Sequence, residues 1–148
     1  MKFVKLSNLD EVALYHYFQE IDNDFEIPLS QKVDIHLYAA RLLKNGYVLA
    51  VVENENILSL IGFYCNDFKQ KKGYVSILST KKEQRGKGYA KTLVREMIKV
   101  CQQEGMSNVY VDTVNPQAAT LYKSIGFVEL YREKINGLEK IIFKYNIV

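Results

Sequence analysis

The chain has 148 residues, of which 48% are hydrophobic and 25% are charged, and its formal net charge is +3. This size and balance are typical of one globular domain with a buried core, so we expect a single domain over residues 1–148. So small a net charge argues against nucleic acid as a partner. No apolar run is long enough to cross a bilayer, and no signal-peptide pattern follows Met1. We therefore expect a cytoplasmic protein without a membrane partner.

The N-terminal part of the chain predicts a short strand followed by two helices. KFVKL favours the strand, and Ser7 or Asn8 can cap the first helix. A polar, proline-containing segment then interrupts the helical pattern, and Ser30 can cap a second helix that ends before Gly46. The apolar positions at helical spacing are Leu14, Tyr17, Phe18 and Ile21 in the first helix and Val33, Leu37, Ala40 and Leu43 in the second.

Three strands are predicted next, from runs of β-branched and aromatic residues. YVLAVV and ILSLIGFYC lie on either side of ENEN, which is the pattern of an antiparallel hairpin. YVSILST, at residues 74–80, favours a further strand after a lysine-rich loop. The strongest helical pattern of the chain follows and ends near Gly105. Its apolar face is formed by Ala90, Leu93, Val94, Met97, Ile98 and Cys101.

A strand, a short helix and a hairpin complete the predicted order of elements. NVYVDTV favours the strand. Asn115 as N-cap, Pro116 at the first helical position and Gly126 after the last turn mark both ends of the helix. Asn136 and Gly137 form the dipeptide that most favours a tight turn, so we expect a closing hairpin around them.

Cysteine and histidine are too sparse to indicate a metal centre or a disulfide framework. Cys65 and Cys101 each lie within an apolar pattern, and we interpret both as small core residues. His16 and His36 lie on predicted helices without a partner of matching spacing. We therefore expect no metal site.

The segment QRGKGYAK, at residues 84–91, places two glycines and three cationic side chains at the start of a helix. A helix N-terminus has unpaired backbone N–H groups and a partial positive charge, so it suits an anion. Glycine lets the anion approach, and cationic side chains favour a phosphate. The P-loop pattern lacks its earlier glycine here, and Lys91 stands where a dinucleotide fingerprint needs its third glycine.

Two motifs together resemble the GNAT superfamily of acyl-CoA-dependent N-acyltransferases. The first is Arg85-x-x-Gly88-x-Ala90, between a strand and an amphipathic helix. The second is NPQAATLYKSIGF at residues 115–127, at the expected distance downstream and again between a strand and a helix. The resemblance covers the chain from about Tyr47 to the C-terminus, whereas the first forty-odd residues match only in general layout.

The resemblance implies an α+β fold of the GNAT type. Its central sheet would be mixed but mostly antiparallel, with six to seven strands flanked by helices. A V-shaped cleft would open between the fourth strand, YVSILST, and the fifth, NVYVDTV. The pantetheine arm of coenzyme A would lie in this cleft like an extra strand.

The resemblance also implies the residues that would hold acetyl-CoA. Backbone groups of Leu78 and Thr80 would pair with the pantetheine arm, and the Leu78 N–H would polarise the thioester carbonyl. Backbone N–H groups from Gly86 to Ala90 would hold the pyrophosphate. The full set of coenzyme-binding candidates is Leu78, Ser79, Thr80, Arg85, Gly86, Lys87, Gly88, Tyr89, Ala90, Asn115 and Tyr122.

The implied reaction is the direct attack of a neutral amine on the thioester within a ternary complex. Tyr122 is the catalytic candidate, as the general acid. A phenol with a pKa of about 10 stays protonated at neutral pH and can donate to a thiolate whose conjugate acid has a pKa of about 8.5. Many relatives use a glutamate near the cleft as base, but YVSILST has no carboxylate, which leaves water relayed through Ser76, Ser79 or Asp112.

Structural interpretations of the same residues stay open at this point. Gly86 and Gly88 suit any tight turn, and the cationic cluster around them suits a solvated surface. Asn115 would cap a helix in a protein that binds nothing, and Tyr122 shares a helix face with core positions. Two other classes of function therefore compete, a non-catalytic CoA-binding module and a basic nucleic-acid-binding domain. The latter would need more basic and aromatic residues on one face.

The acceptor is expected to be a small-molecule or peptide amine, and a homodimer is one expected assembly. In the family, the connection between the first two helices tends to wall the acceptor side of the cleft. Here that connection carries four carboxylates, which are Glu20, Asp22, Asp24 and Glu26. They form either a solvated polar loop or a surface that attracts an amine with an additional positive charge.

Overall fold

The strands predicted from the alternating apolar runs all join one sheet. The computed structural model describes residues 1–147. Its strands are β1 (Lys2–Lys5), β2 (Tyr47–Glu53), β3 (Asn56–Asp67), β4 (Lys72–Thr80), β5 (Asn108–Thr113), β6 (Val128–Ile135) and β7 (Leu138–Asn146). They lie side by side in the order β1-β2-β3-β4-β5-β7-β6. Neighbours are antiparallel except β4 and β5, which are parallel.

Helices cover the sheet and create two hydrophobic layers. They are α1 (Glu11–Ile21), α2 (Leu29–Lys32), α3 (Ile35–Asn45), α4 (Tyr89–Gln103) and α5 (Pro116–Ile125). One layer joins α1 and α3 to the sheet through fully buried residues such as Phe18 and Leu42. The other joins α4 and α5 through Leu93, Met97 and Tyr122. The predicted α+β architecture, a mostly antiparallel mixed sheet of seven strands flanked by helices, is confirmed.

The predicted V-shaped opening lies between β4 and β5. The two strands pair over three positions, Lys72–Tyr74 against Asn108–Tyr110, although β4 continues to Thr80. A register shift in the pairing of β3 with β4 leaves Ser76 as an extra residue on β4. Because a bulge of this kind bends its strand, β4 leaves β5 directly after the last paired position.

Local capping and turn signals mark the element ends as predicted. Asn115 Oδ1 accepts hydrogen bonds from the backbone N–H groups of Gln117 and Ala118 at 2.8 and 3.2 Å, which caps α5. Gly126 ends that helix with φ of 120°. The turn at residues 136–137 joins β6 to β7 with φ of 51° and 79°, the two positive angles that this hairpin turn requires.

The prediction for the second helix is wrong in its cap and in its buried face. Ser30 lies in the short helix α2, and α3 is capped instead by Asp34, whose Oδ1 accepts from the Leu37 N–H at 3.0 Å. Leu37 is 49% exposed, whereas Ala39 and Leu42 are fully buried. Because the helical path breaks after α2, the periodicity counted from Ser30 does not continue into α3.

None of the helices in residues 1–147 is long and apolar enough to cross a membrane. Over the same residues, no group of three or more histidine, cysteine, aspartate or glutamate side chains is placed to hold a metal ion.

Candidate active site

A cleft of about 710 Å³ opens where β4 and β5 separate. Its walls come from the α1–α2 connection, the second half of β4, the turn that begins α4, the start of α5 and the β6–β7 hairpin. All eleven residues predicted to bind the coenzyme line this cleft. The two motifs, which lie about thirty residues apart in the sequence, therefore face one cavity.

The turn before α4 presents bare backbone to the cleft. Gly86 and Gly88 have φ of 81° and 82°, a left-handed conformation that glycine adopts without a steric penalty. A Cβ atom placed on either glycine would meet no atom within 4 Å, so the space above the turn is open. Within the described chain, the backbone N–H groups of residues 86–90 donate to no other residue. These unpaired donors at a helix N-terminus form a site that suits an anion.

Cationic side chains surround this turn, and two of them also stabilise it. Arg85 Nε donates to the Thr80 carbonyl oxygen at 3.2 Å, which ties the turn to the end of β4. Lys87 Nζ donates to Gln84 Oε1 at 2.9 Å. Arg85 therefore has a structural contact as well as a position on the cleft wall.

The free edge of β4 offers alternate backbone groups to the cleft. The N–H of Lys81 donates to the Leu58 carbonyl oxygen on the β3 side at 3.0 Å. Since backbone groups alternate in direction along a strand, those of Thr80 and Leu78 point the other way, toward the cleft. The Thr80 carbonyl oxygen already accepts a hydrogen bond from Arg85. The N–H groups of Leu78 and Thr80 and the Leu78 carbonyl oxygen are therefore the backbone groups that can bind a ligand in the cleft.

Ser79 is held by the protein instead of facing the cleft with its polar groups. Its Oγ lies 3.0 Å from the Tyr17 hydroxyl, and its carbonyl oxygen accepts from Ser59 Oγ at 3.0 Å. Burial raises the pKa of Tyr17 well above its ordinary value, so Tyr17 stays a neutral partner in this network. Ser79 lines the cleft, and its hydrogen bonds fix the position of the adjacent β4 backbone.

Tyr122 lies where the cleft meets the hydrophobic core. Its side chain is 2% exposed, and its ring packs against Phe127 and Phe143 at centroid distances of 5.2 and 6.0 Å. Within residues 1–147 its hydroxyl has no hydrogen-bond partner. Burial, aided by the negative charge of Asp112, raises the pKa of Tyr122 above its ordinary value. The phenol is therefore a protonated, unpaired donor at the wall of the cleft.

A polar cluster at the narrow end of the cleft adds groups that the motifs do not contain. The Tyr74 hydroxyl donates to Asp112 Oδ2 at 2.8 Å, and the hydroxyl groups of Tyr38 and Ser76 are hydrogen-bonded to each other. Ser76 and Asp112 line the cleft, so two of the three residues considered as relays for the base meet here. No sequence signal identifies Tyr74, since its contact with Asp112 depends on the pairing of β4 with β5.

Three of the four carboxylates predicted to lie between the first two helices form ion pairs or hydrogen bonds within the protein. These pairs are Glu20 with Lys81 at 3.1 Å, Asp24 with Lys82 at 3.5 Å, and Asp22 with the Ser30 N–H and hydroxyl at 2.8 and 2.6 Å. Glu26 lines the cleft beside Asp24. The negative charge that this segment offers to an acceptor is therefore smaller than its sequence indicates.

Both cysteines are buried free thiols away from the cleft. The Sγ atoms of Cys65 and Cys101 lie 2.6 Å apart in the core between β3 and α4. Neither residue lines the cleft, which agrees with their interpretation as core residues and removes them as nucleophiles.

Comparison with known proteins places the chain among acetyltransferases. The profile of the acetyltransferase (GNAT) family matches residues 12–127, more than half of the chain. A human protein named N-acetyltransferase 8B is 46% identical over 52 residues, which are 34% of this chain and 23% of the human protein.

Solved structures share the fold over nearly the whole chain. A GNAT-family acetyltransferase from Staphylococcus aureus has a TM-score of 0.79 and 19% identity, with 99% of both chains covered. The ribosomal-protein-S18-alanine N-acetyltransferase of Escherichia coli has a TM-score of 0.78 and 15% identity, with 99% of this chain and 93% of the other chain covered. Aminoglycoside 6'-acetyltransferase type Ii has a TM-score of 0.81 and 13% identity, with 100% of this chain and 98% of the other chain covered. At these identities the likeness shows the fold alone.

Proposed function

Since the chain belongs to the GNAT family of acetyltransferases, we propose that it transfers an acetyl group from acetyl-CoA to a primary amine by direct attack in a ternary complex. One observation carries this proposal. The unpaired N–H groups of residues 86–90 and the unpaired hydroxyl of Tyr122 face the same cleft. The N–H groups suit a phosphate, and the hydroxyl suits a leaving thiolate. In acetyl-CoA the pyrophosphate and the thioester sulfur lie at the two ends of the pantetheine arm.

The coenzyme would be held by backbone more than by side chains. The N–H groups of residues 86–90 would bind the pyrophosphate, with Lys87 and Lys91 nearby for the remaining phosphate. The N–H groups of Leu78 and Thr80 would pair with the pantetheine arm along the free edge of β4. The open space above Gly86 and Gly88 supports this fit, because a phosphate must approach the backbone closely there.

Two residues would act on the reacting atoms. The Leu78 N–H would donate to the thioester oxygen, where negative charge develops as the amine attacks. Tyr122 would give its proton to the departing sulfur, and its raised pKa means that the phenol is protonated at neutral pH. The alternative of a non-catalytic CoA-binding module is less well supported, because such a module would not need a protonated phenol at the wall of the cleft.

The acceptor stays open between a small-molecule amine and a peptide amine. Two of the structures with the same fold are named for different acceptors, a ribosomal-protein alanine and an aminoglycoside, so the fold does not select between them. A homodimer is also proposed, supported by exposed apolar residues on the edge strand β6, namely Val128, Leu130 and Tyr131. The cytoplasm is proposed as the location from the sequence-based expectation.

The direct test of function combines a screen for acetyl-CoA consumption with a variant designed to prevent coenzyme binding. Acetyl-CoA consumption across polyamines, amino sugars, amino acids and peptides should identify at least one amine substrate. Gly88→Val should abolish CoA binding in calorimetry, because the added side chain fills the space that the pyrophosphate needs.

Gly105→Val is the matched control for this variant. Gly105 also has a positive φ, 83°, and open space around it, but it lies beyond the far end of α4. Both variants carry the same backbone strain, and thermal melts should show similar losses of stability. If folded Gly88→Val binds CoA as tightly as Gly105→Val does, the pyrophosphate is not held at this turn.

A further inference from the structure

Asp112 occupies the point from which the cleft opens. The pairing of β4 with β5 ends at Tyr74 and Tyr110, and Asp112 is two residues further along β5. The Tyr74 hydroxyl crosses the gap to Asp112 Oδ2 at 2.8 Å, directly below the bulge at Ser76. The Asp112 carboxylate is thus fixed at the narrow end of the cavity, which it lines.

Asp112 and Tyr122 approach the narrow end of the cleft from opposite faces of the sheet. Val111, between Tyr110 and Asp112 on β5, belongs to the core layer of α4 and α5. Since side chains alternate along a strand, Asp112 points to the other face, whereas Tyr122 comes from α5. Both residues line the same cleft, and the negative charge of Asp112 contributes to the raised pKa of Tyr122.

We propose that Asp112 is the general base of the acetyl transfer and that Tyr74 is the positioning residue that holds its carboxylate toward the acceptor amine. This inference rests on the proposed function. Asp112 takes one proton from the ammonium form of the acceptor, and the freed nitrogen lone pair forms the C–N bond. The C–S bond breaks with its electron pair on sulfur, which takes a proton from Tyr122. The second proton of the nitrogen is released to solvent, and the proton held by Asp112 returns to Tyr122 through solvent, so both groups are restored and each turnover releases one proton.

The other carboxylates that line the cleft are less suited to this role. Asp24 is paired with Lys82, and Glu26 lies on the α1–α2 connection, away from the strand junction. The charged groups facing Asp112 include Lys140 and Lys144, which flank its β7 partner Ile142 on the same face.

Replacement of Asp112 by asparagine tests the base directly. With the best amine from the acceptor screen, Asp112→Asn should lower kcat/KM at neutral pH by about 10² to 10⁴-fold. The loss should shrink as pH rises above the pKa of the amine, because an amine that is already neutral needs no base. CoA affinity in calorimetry should stay at the wild-type value, since the hydrogen bond of Asp112 is to Tyr74, which is not among the residues proposed to hold the coenzyme.

Replacement of Tyr74 by phenylalanine tests the positioning role. Without this hydrogen bond the carboxylate is no longer fixed toward the amine, so Tyr74→Phe should lower kcat by about 10²-fold, with the KM for acetyl-CoA unchanged. A purely structural role of Tyr74 would change the thermal midpoint without this loss of kcat. Tyr131→Phe, on the exposed strand β6, is the matched control and should keep the wild-type kcat.

The outcomes separate this inference from the proposed function. A protein that neither binds CoA nor consumes acetyl-CoA with any amine would overturn both. If Asp112→Asn turns over with the wild-type pH profile of kcat/KM, the assignment of Asp112 as the base is wrong while the proposed function stands. If Glu26→Gln instead loses the fall of kcat/KM at low pH, the base is Glu26. If Asp112→Asn does not fold, the kcat of Tyr74→Phe decides, and a wild-type kcat in that variant rejects the inference.

Discussion

Tyr122 belongs to the hydrophobic core and to the cleft at once. Its ring is packed between Phe127 and Phe143, while its hydroxyl lacks a partner within the described chain. The hydroxyl oxygen itself is not fully buried, so it reaches the space of the cleft. Donation to a ligand atom in the cleft would give it a partner. The alternatives of a core tyrosine and a catalytic tyrosine are therefore compatible, because they concern different atoms of one side chain.

Removal of this hydroxyl should separate its two roles. Tyr122→Phe keeps the ring and should lower kcat about 10²-fold, the lower end for a lost general acid, with CoA affinity unchanged. Stability should not fall, since no hydrogen bond within residues 1–147 is lost. The measurements are steady-state kinetics, calorimetry and thermal melts. Tyr145→Phe, which packs on Phe127 outside the cleft, is the control. An unchanged kcat with rate-limiting chemistry would exclude Tyr122 as the acid.

The connection between α1 and α2 shows how one carboxylate organises an element. The short helix α2 follows Pro28 and has no cap from its own N-cap side chain. Asp22, at the end of α1, instead accepts from the Ser30 N–H and hydroxyl and satisfies an exposed donor of α2. These hydrogen bonds hold the pKa of Asp22 below its usual range.

This cap should make stability depend on pH in a known direction. Because the folded-state pKa of Asp22 lies below its unfolded value of about 3.9, its contribution is present above that pH and lost as pH falls through the folded value. Asp22→Asn should therefore lower the thermal midpoint at neutral pH, and the difference from wild type should narrow below about pH 4. Glu26→Gln serves as the comparison. A difference that is constant with pH would contradict the assignment.

At the scale of the whole molecule, burial of tyrosine is a recurring feature. Tyr17, Tyr38 and Tyr122 lie in or beside the two hydrophobic layers, and burial is the largest cause that raises the pKa of each. Tyr17 and Tyr38 are bonded to Ser79 and Ser76, respectively, on the strand that forms the cleft edge. Neutral phenols thus support β4 from the α1–α3 side.

These phenols should limit the stability of the protein in alkali. Their folded-state pKa values lie above the unfolded value of about 10, so their contribution is complete below that pH and is lost as pH rises above it. We expect these phenols to leave the free energy of unfolding unchanged between neutral pH and about pH 10 and to cause a steep fall beyond it. Circular dichroism and phenolate absorbance, followed together against pH, should change in one transition. Tyr38→Phe should make the fall shallower, and an equal slope in that variant would contradict this cause.

Local signals determined most of the secondary structure and the main binding motif. The helix at residues 89–103, the cap at Asn115 and the turn at residues 136–137 each depend on contacts within about four residues, so periodicity and turn chemistry predict them. The two motifs likewise needed no long-range information, because each lies on one strand-to-helix junction. They were sufficient to identify the family and its fold.

Tertiary structure alone decided the features that depend on residues distant in sequence. The buried face of α3 was missed because a new cap at Asp34 restarts the helix. The bulge at Ser76 and the contact of Tyr74 with Asp112 follow from strand register, which one sequence does not specify. The lysines that pair with Glu20 and Asp24 arrive from the end of β4 and the turn beyond it. Packing fixes such partners, since side-chain chemistry allows many pairings and the fold brings only some of them together.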